Sequence, residues 1–486
     1  MIPHPKARYT AHVEPRKHPG TMTEMEKVVV IGLDCMSPEL VFDRWLGKLP
    51  NMKRLVATGV YGWIESSIPP ITVPAWATFA TSKNPGQLGF FGFRNRRNAS
   101  YTDISIASSR TIEEPTIWDI LSRAGKKVGL LGVPQTYPPR PVNGFMVTSF
   151  LTPDTSCQYT YPPELRDEIK ELVGDYMLDC ENFRTEDKSG LLQQIYKMTE
   201  QRFTLARHFL STRELDFFMM VEMGPDRIHH GFWKFFDESH RKHQFHPQYS
   251  DAIEKYYIYV DEQIGELLAL VKDKAYVMIV SDHGARKMDG CINVNDWLIQ
   301  QGYLTLKSPP EGIVRLKDAH VDWGKTVAWG WGGYYSRIFL NVKGREALGT
   351  VDPRDYERIR DEIAERIRGI PDDRGNRMDT RVLKPQEIYT GKHVDKAPDL
   401  LAFFGGLSWR VTEDIGHDSI YSFETELGPD DALHSQHGMF ILSDGKTKGG
   451  KRLEGLRLLD GAPTILSLMG LRVPEDMEGK VVSLRR

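Results

Sequence analysis

Seven short apolar runs, spread along the whole chain, constrain its fold more than any other feature of the sequence. Each run is six to eight residues long and mostly apolar, with its few polar residues at or near an end, and it lacks the alternation of a half-exposed strand. Such runs are typical of strands that are covered on both faces, as in parallel sheets flanked by helices. They span residues 28–33, 128–133, 215–222, 275–280, 337–342, 399–404 and 438–443.

Segments with helical periodicity lie between several of these runs, at residues 115–125, 191–211, 250–273 and 353–369. This alternation predicts an α/β fold of the doubly wound type, with a mostly parallel central sheet and helices on both faces. Segments 135–190 and 303–335 interrupt it with proline, glycine and aromatic residues. We expect them to be insertions over the active-site edge of one domain that covers residues 25–486.

Composition excludes several classes of function. The 63 basic and 66 acidic residues nearly cancel and form no block of one sign, so neither a nucleic-acid polymer nor a membrane surface is expected as a partner. No apolar run approaches the roughly 18 residues of a membrane span. Four scattered cysteines favour a reducing compartment, and residues 1–24 lack the apolar core of a secretory signal, which predicts a disordered tail and a cytoplasmic protein. The oligomeric state stays open.

Polar residues follow two of the apolar runs directly, where a doubly wound sheet places its functional groups. Asp34 comes after the run 28–33, and Asp282 and His283 come after the run 275–280. Gly284 gives the next turn the conformational freedom that would let both side chains reach one point. Helix capping or a loop hydrogen bond is the alternative explanation for each of these residues.

Two further pairs of candidate ligands accompany other strands. Asp226 and His230 are four residues apart on a predicted helical turn, so their side chains share a face, and His434 and His437 precede the run 438–443. Together the seven candidates exceed what one tetrahedral ion binds, which predicts two divalent metal ions. Carboxylate and imidazole ligands favour zinc, with manganese or iron as alternatives. A two-metal site can stabilise both oxygens of a phosphoryl displacement.

The stretch SSIPPITVPAWATF, residues 66–79, holds several hydroxyl groups among prolines. A loop hydroxyl more often caps a helix than attacks a substrate. From these residues alone, Thr72 is either a cap or a nucleophile.

Five motifs occur in the order that is typical of one family: VVVIGLD, ITVPAWATF with NPGQLGFFGF, GPDRIHHGFW, VSDHG and HSQHG. Over about residues 27–486 the chain thus resembles the alkaline phosphatase superfamily, in particular its type I phosphodiesterase/nucleotide pyrophosphatase branch. The resemblance implies a hydrolase that cleaves phosphodiester or pyrophosphate bonds of a small phosphate ester.

The resemblance also assigns roles to single residues. It implies that Asp34, Asp282 and His283 hold one metal, with Thr72 touching that metal as an alkoxide. It also implies that Asp226, His230 and a C-terminal histidine hold the second metal, and His434 fits that last position better than His437. Thr72 would attack phosphorus and form a phosphothreonine intermediate.

Three other functions remain as alternatives. A phosphomonoesterase would need an extra positive charge, which Arg94, Arg96 and Arg97 could supply if they are not simply a solvated loop. A sulfatase would carry a Cys/Ser-x-Pro-x-Arg element, which the nucleophile position does not match. A non-catalytic binding protein would have lost ligands or Thr72. Nucleotide pyrophosphatases of the eukaryotic type carry an asparagine soon after the nucleophilic threonine or in a nearby loop. This chain has Ala75 three residues after Thr72, which weakens any assignment to a nucleotide substrate.

Overall fold

The computed structural model describes residues 27–484. The predicted N-terminal tail, residues 1–24, therefore lies outside the described residues. The strands, in chain order, are β1 (Lys27–Leu33), β2 (Gly59–Glu65), β3 (Arg94–Arg96), β4 (Ile104–Ile106), β5 (Val128–Leu131), β6 (Gly144–Val147), β7 (Thr160–Tyr161), β8 (Phe217–Glu222), β9 (Ala275–Val280), β10 (Gly284–Lys287), β11 (Gly290–Asn293), β12 (Ala328–Trp331), β13 (Ser336–Leu340), β14 (Arg381–Leu383), β15 (Leu400–Phe403), β16 (Trp409–Thr412), β17 (Tyr421–Ser422), β18 (Ala432–Ser435), β19 (His437–Ser443), β20 (Lys451–Arg452) and β21 (Leu456–Arg457).

Helices separate many of these strands. The α-helices are α1 (Pro50–Ala57), α2 (Thr72–Thr81), α3 (Pro85–Leu88), α4 (Ile117–Arg123), α5 (Leu165–Val173), α6 (Lys188–Thr212), α7 (Gly224–Phe236), α8 (Ala252–Val271), α9 (Val294–Gln300), α10 (Tyr356–Arg368), α11 (Pro385–Ile388) and α12 (Gly461–Leu468). No helix of the described chain has both the length and the apolar character of a membrane span.

A ten-stranded sheet forms the centre of the molecule. Its strand order is β20-β2-β19-β9-β1-β8-β5-β6-β7, with β21 also pairing with β2. Strands β9, β1, β8, β5 and β6 are mutually parallel, whereas β19 runs antiparallel to both β9 and β2. The predicted α/β fold with a mostly parallel central sheet is thus confirmed. In such a sheet the carboxyl ends of β1, β8 and β9 meet at one edge.

Two of the seven apolar runs belong to a different sheet. Strands β13 and β15, from the runs 337–342 and 399–404, form an antiparallel sheet in the order β12-β13-β15-β14. Most of their apolar side chains are buried in a second core that extends from Ile292 to Ile415, here called the accessory lobe, while Leu401 and Phe403 pack in a smaller cluster beside it. A strand that is covered on both faces has the same apolar pattern whatever its direction, so the pattern could not assign these strands to a sheet.

The two segments predicted to be insertions contribute to both sheets. Segment 135–190 contains β6 and β7 at one end of the central sheet, and segment 303–335 contains β12 of the accessory lobe. Segment 135–190 therefore interrupts the strand–helix alternation but still adds strands to the central sheet.

Candidate metal centre

Four parts of the chain bring buried acidic and imidazole side chains to one edge of the central sheet. Asp34 follows β1, and Asp282 and His283 follow β9. Helix α7, which begins just after β8, carries Asp226 and His230 on one face. His434 lies on β18, which pairs with β10 directly after the β9 turn. All six side chains are at most 2% exposed.

The first group consists of Asp34, Asp282 and His283, whose potential ligand atoms lie within 4.8 Å of one another. His283 Nε2 is 3.2 Å from Asp282 Oδ2 and 3.8 Å from Asp34 Oδ1. Thr72, the first residue of α2, has its hydroxyl oxygen 3.5 Å from the same nitrogen. The structure thus places the candidate nucleophile beside the first group.

The second group consists of Asp226, His230 and His434, also within 4.8 Å of one another. The Nε2 atoms of His230 and His434 lie 3.3 and 3.4 Å from Asp226 Oδ1. His437 is exposed at the first residue of β19, with its ring against Trp63. The structure therefore brings His434, and not His437, to the second group.

Hydrogen bonds from the surrounding chain orient the carboxylates of the first group. The Trp76 indole donates to Asp34 Oδ2 at 2.7 Å, and the Cys35 amide donates to Asp282 Oδ1 at 3.2 Å. Gly32 makes room for the indole, because a Cβ at this position would lie 2.5 Å from the Trp76 ring. The absence of a side chain at Gly32 thus lets Trp76 approach and orient Asp34.

Other residues orient the second group, and the sequence did not indicate them. His230 Nδ1 donates to Asp430 Oδ1 at 2.5 Å, and His434 Nδ1 donates to the Pro70 carbonyl at 2.9 Å. Arg227 contacts the carboxylate of Asp226 and forms a bidentate pair with Asp179. The one sequence signal for Asp430 is its place in the acidic pair Asp430–Asp431, just before the HSQHG motif.

Tyr334 closes over the second group from the accessory lobe. Its ring stacks on the His434 ring at 3.9 Å between centroids, and its hydroxyl lies 3.5 Å from His230 Nε2. Arg184 donates to that hydroxyl at 3.2 Å and to Asp430 at 2.7 Å. The accessory lobe thus contributes a phenol to the rim of the centre.

Burial and mutual repulsion perturb the carboxyl groups. Burial, reinforced by the charge of Asp226, raises the pKa of Asp34 well above its ordinary value, and burial with Asp34 raises the pKa of Asp282. Although burial opposes its ionisation, His230 and Arg227 hold the pKa of Asp226 well below its usual range. A divalent cation beside Asp34 and Asp282 would favour the ionised form of both.

The histidines of the first group and of β18 are in the form that binds metals. Burial, followed by the neighbouring His434, lowers the pKa of His283, and burial also lowers the pKa of His434. Neutral imidazole is the metal-binding state.

The donor atoms fit a two-metal centre. Four buried atoms lack a hydrogen-bond partner among the described residues, two in each group: Asp34 Oδ1, Asp282 Oδ2, Asp226 Oδ1 and His434 Nε2. Buried polar atoms usually have partners, so four unpartnered donor atoms within two groups of ligand residues are consistent with cations that bind between them.

The arginines after α3 serve a different purpose. Arg94 forms a bidentate pair with Glu413, and Arg96 pairs with Glu346 at 2.7 Å while covering the Trp329 ring. Arg97 is exposed, 3.8 Å from Asp103. The first two arginines therefore attach β3 to the accessory lobe.

A model of one protein family matches most of the chain. Residues 28–439 match the family described as type I phosphodiesterase/nucleotide pyrophosphatase. No curated protein sequence is significantly similar to the chain.

Solved structures share the fold at low sequence identity. Human ectonucleotide pyrophosphatase/phosphodiesterase 5 is 14% identical, with 93% of this chain and 96% of that chain covered and a TM-score of 0.53. Phosphonoacetate hydrolase from Sinorhizobium meliloti 1021, in complex with phosphonoformate, is 15% identical, with coverage of 92% and 96% and a TM-score of 0.59. The murine ectonucleotide pyrophosphatase/phosphodiesterase 5, in complex with AMP, is 14% identical, with coverage of 93% and 96% and a TM-score of 0.51.

Proposed function

Because the chain belongs to the type I phosphodiesterase/nucleotide pyrophosphatase family of the alkaline phosphatase superfamily, we propose that it is a two-metal hydrolase of small phosphate esters with Thr72 as its nucleophile. The observation that carries the proposal is the position of the Thr72 hydroxyl, 3.5 Å from His283 Nε2 and at the edge of the first ligand group. A threonine hydroxyl is a weak nucleophile unless its environment activates it, and this position supplies that environment.

The start of α2 supports an anionic substrate at the same place. Thr72 and Val73 are the first two residues of the helix, and the amide hydrogens of a helix's first turn have no partner within the helix. Together with the helix dipole, these amides favour a phosphoryl group next to the Thr72 hydroxyl. Thr72 then attacks phosphorus, the ester oxygen leaves with a proton, and water hydrolyses the phosphothreonine.

Asp34, Asp282, His283 and Thr72 would hold one cation, and Asp226, His230 and His434 would hold the other. Divalent ions bound there would lower the pKa of the attacking hydroxyl and neutralise charge on the phosphate. Mixed carboxylate and imidazole donors favour zinc, with manganese or iron as alternatives.

A phosphodiester or pyrophosphate bond fits the site better than a phosphomonoester. A monoester carries an extra negative charge, and Arg94 and Arg96, the basic groups that could have matched it, are paired with Glu413 and Glu346. Ala75 is a buried apolar residue of α2, so the helix offers no amide side chain at that position for a phosphoryl oxygen. We therefore do not restrict the substrate to nucleotides, and a cytoplasmic location stays a prediction.

The experiment compares substrates and variants in one assay. Metal content is measured on the purified protein, and hydrolysis is followed for bis-nitrophenyl phosphate, nitrophenyl phosphate, nitrophenyl sulfate, an AMP ester and phosphonoacetate. We expect the diester to be the best nitrophenyl substrate. Thr72→Ala should reduce kcat at least about a thousandfold, because loss of a nucleophile leaves only binding and electrostatic effects.

Thr78→Ala is the matched control, since Thr78 is another buried threonine of the same helix. It should keep its activity, and chelation should abolish the activity of both the wild type and this control. Full activity of Thr72→Ala, or activity that survives metal removal, would refute the mechanism. Preference for the sulfate would redirect the substrate assignment to sulfate esters, and preference for phosphonoacetate to phosphonates.

A further inference from the structure

Cys35 lies beside the metal centre, and none of the roles above uses its thiol, although its backbone amide orients Asp282. It follows Asp34 directly, its side chain is 1% exposed, and its backbone φ is 65°, a left-handed conformation that favours glycine. A residue with a side chain is strained in this conformation, and such strain is found preferentially at functional sites.

The thiol lies between the two ligand groups. Its sulfur is within 4.8 Å of a ring nitrogen of His283, from the first group, and of one of His434, from the second. Within the described residues its hydrogen bond goes to the Gly284 carbonyl, at 3.4 Å. His434 Nε2 is buried and has no hydrogen-bond partner in the described part of the chain. Sulfur and two imidazoles therefore form a third donor set inside the centre.

We propose that Cys35 is a metal ligand, whose sulfur binds a cation together with His283 or His434 and gives the centre a preference for thiophilic ions. Two carboxylate–imidazole sets alone would accept manganese readily, whereas a sulfur donor favours zinc, cobalt and cadmium. Coordination replaces the thiol hydrogen by the cation, and the proton leaves to solvent. The inference rests on the proposed metal centre but not on the identity of the nucleophile or the substrate.

The test is the absorption spectrum of the cobalt(II)-substituted full-length protein. A thiolate that binds cobalt(II) produces a ligand-to-metal charge-transfer band in the near ultraviolet, which carboxylate and imidazole ligands do not. We expect the band in the wild type and its loss in Cys35→Ser. The ratio of cadmium to manganese affinity, measured by competition with a chelator, should fall about tenfold or more in the variant, as for other changes close to a bound metal.

Cys291→Ser is the matched control, because Cys291 is also a buried free cysteine, but it lies on β11, where its thiol faces the Glu424 carbonyl and belongs to neither ligand group. It should keep the band and the affinity ratio. If Cys35→Ser does not fold, Cys35→Gly removes the sulfur while suiting the left-handed backbone, and it should also lose the band.

Cobalt-loaded wild type without the band, or a band that persists in Cys35→Ser or Cys35→Gly, overturns this inference and leaves the proposed hydrolase intact. A protein that binds no cobalt and hydrolyses esters without metal overturns both. Loss of activity in Thr72→Ala with the band preserved supports both.

Discussion

Each histidine of the centre has its second nitrogen fixed by an acceptor. His230 Nδ1 faces Asp430, His434 Nδ1 faces the Pro70 carbonyl and His283 Nδ1 faces the Gly284 carbonyl. An acceptor on Nδ1 sets the tautomer that leaves Nε2 free as a ligand. Asp430 differs from the two carbonyls because its carboxylate also raises the pKa of His230 against the effect of burial.

We predict that Asp430→Asn weakens divalent metal binding by about 10- to 100-fold, the usual effect of removing a residue that orients a metal-binding histidine. Asparagine keeps the shape but loses the negative charge that His230 Nδ1 and Arg184 share. The measurement is the dissociation constant of zinc or cobalt by chelator competition, alongside the melting temperature of the metal-free protein.

Asp431→Asn is the control for this prediction. Asp431 is equally buried, but its carboxylate faces Lys234 at 3.8 Å rather than a histidine of the centre. Metal affinity should be unchanged in this variant. Equal affinity in Asp430→Asn and the wild type would show that Asp430 does not support the centre.

The sequence indicated the ligand residues better than the residues that orient them. Asp34, Asp226 and Asp282 could be selected because each follows an apolar run, and strand direction brings such positions together. Asp430, Asp179 and Tyr334 carry no such pattern. Their contact with the centre depends on loops and on the accessory lobe, whose path the sequence does not reveal.

At the scale of single elements, the connection between α7 and α8 is fixed by a buried histidine. His240 Nδ1 accepts from the Lys242 amide at 3.0 Å, and its Nε2 donates to the Asp431 carbonyl at 3.1 Å. Burial lowers the pKa of His240 to about 4. The ring is therefore mostly neutral in the folded protein above about pH 4.

This pKa predicts acid destabilisation within a defined range. The folded pKa lies below the unfolded value of about 6.5, so the stabilisation by His240 is complete above pH 6.5 and is lost as the pH falls toward 4. At pH 5 the loss is about 2 kcal/mol of unfolding free energy. His240→Gln should lack this loss, which is measured by denaturant unfolding of the metal-free protein at pH 8 and pH 5.

His320→Gln, at an exposed position of the accessory lobe, serves as the comparison and should follow the wild type. If His240→Gln loses as much stability as the wild type between pH 8 and pH 5, the buried ring is not the cause.

The elements themselves were largely predictable. The segments 191–211 and 250–273 correspond to α6 and α8, and the runs 28–33 and 275–280 correspond to β1 and β9. Strand direction and sheet membership were not, because β19 and β13 have the same continuous apolar pattern as β1 while running antiparallel to their neighbours. The position of each strand is decided by contacts between distant parts of the chain.

Across the whole molecule, the metal centre joins parts of the chain that are far apart in sequence. Its candidate ligands run from Asp34 to His434, and between them lies the complete accessory lobe. That lobe also supplies Tyr334 at the rim, and Arg94 and Arg96 attach β3 to it. Cations bound at the centre would thus cross-link the central sheet, α7 and β18.

We therefore predict that metal removal lowers the melting temperature of the whole protein by several degrees. In the metal-loaded protein, the stabilisation should increase with the logarithm of the free metal concentration. An ion that binds only the folded state stabilises it by about 4 kcal/mol when present at 1,000 times its dissociation constant. Calorimetry with and without chelator measures the shift.

Asp226→Asn, which loses a ligand of the second group, should show a smaller shift. His437→Ala should show the full shift, because His437 is exposed and belongs to neither group. Equal melting temperatures of the wild type with and without chelator would mean that the four buried unpartnered atoms do not mark a metal centre.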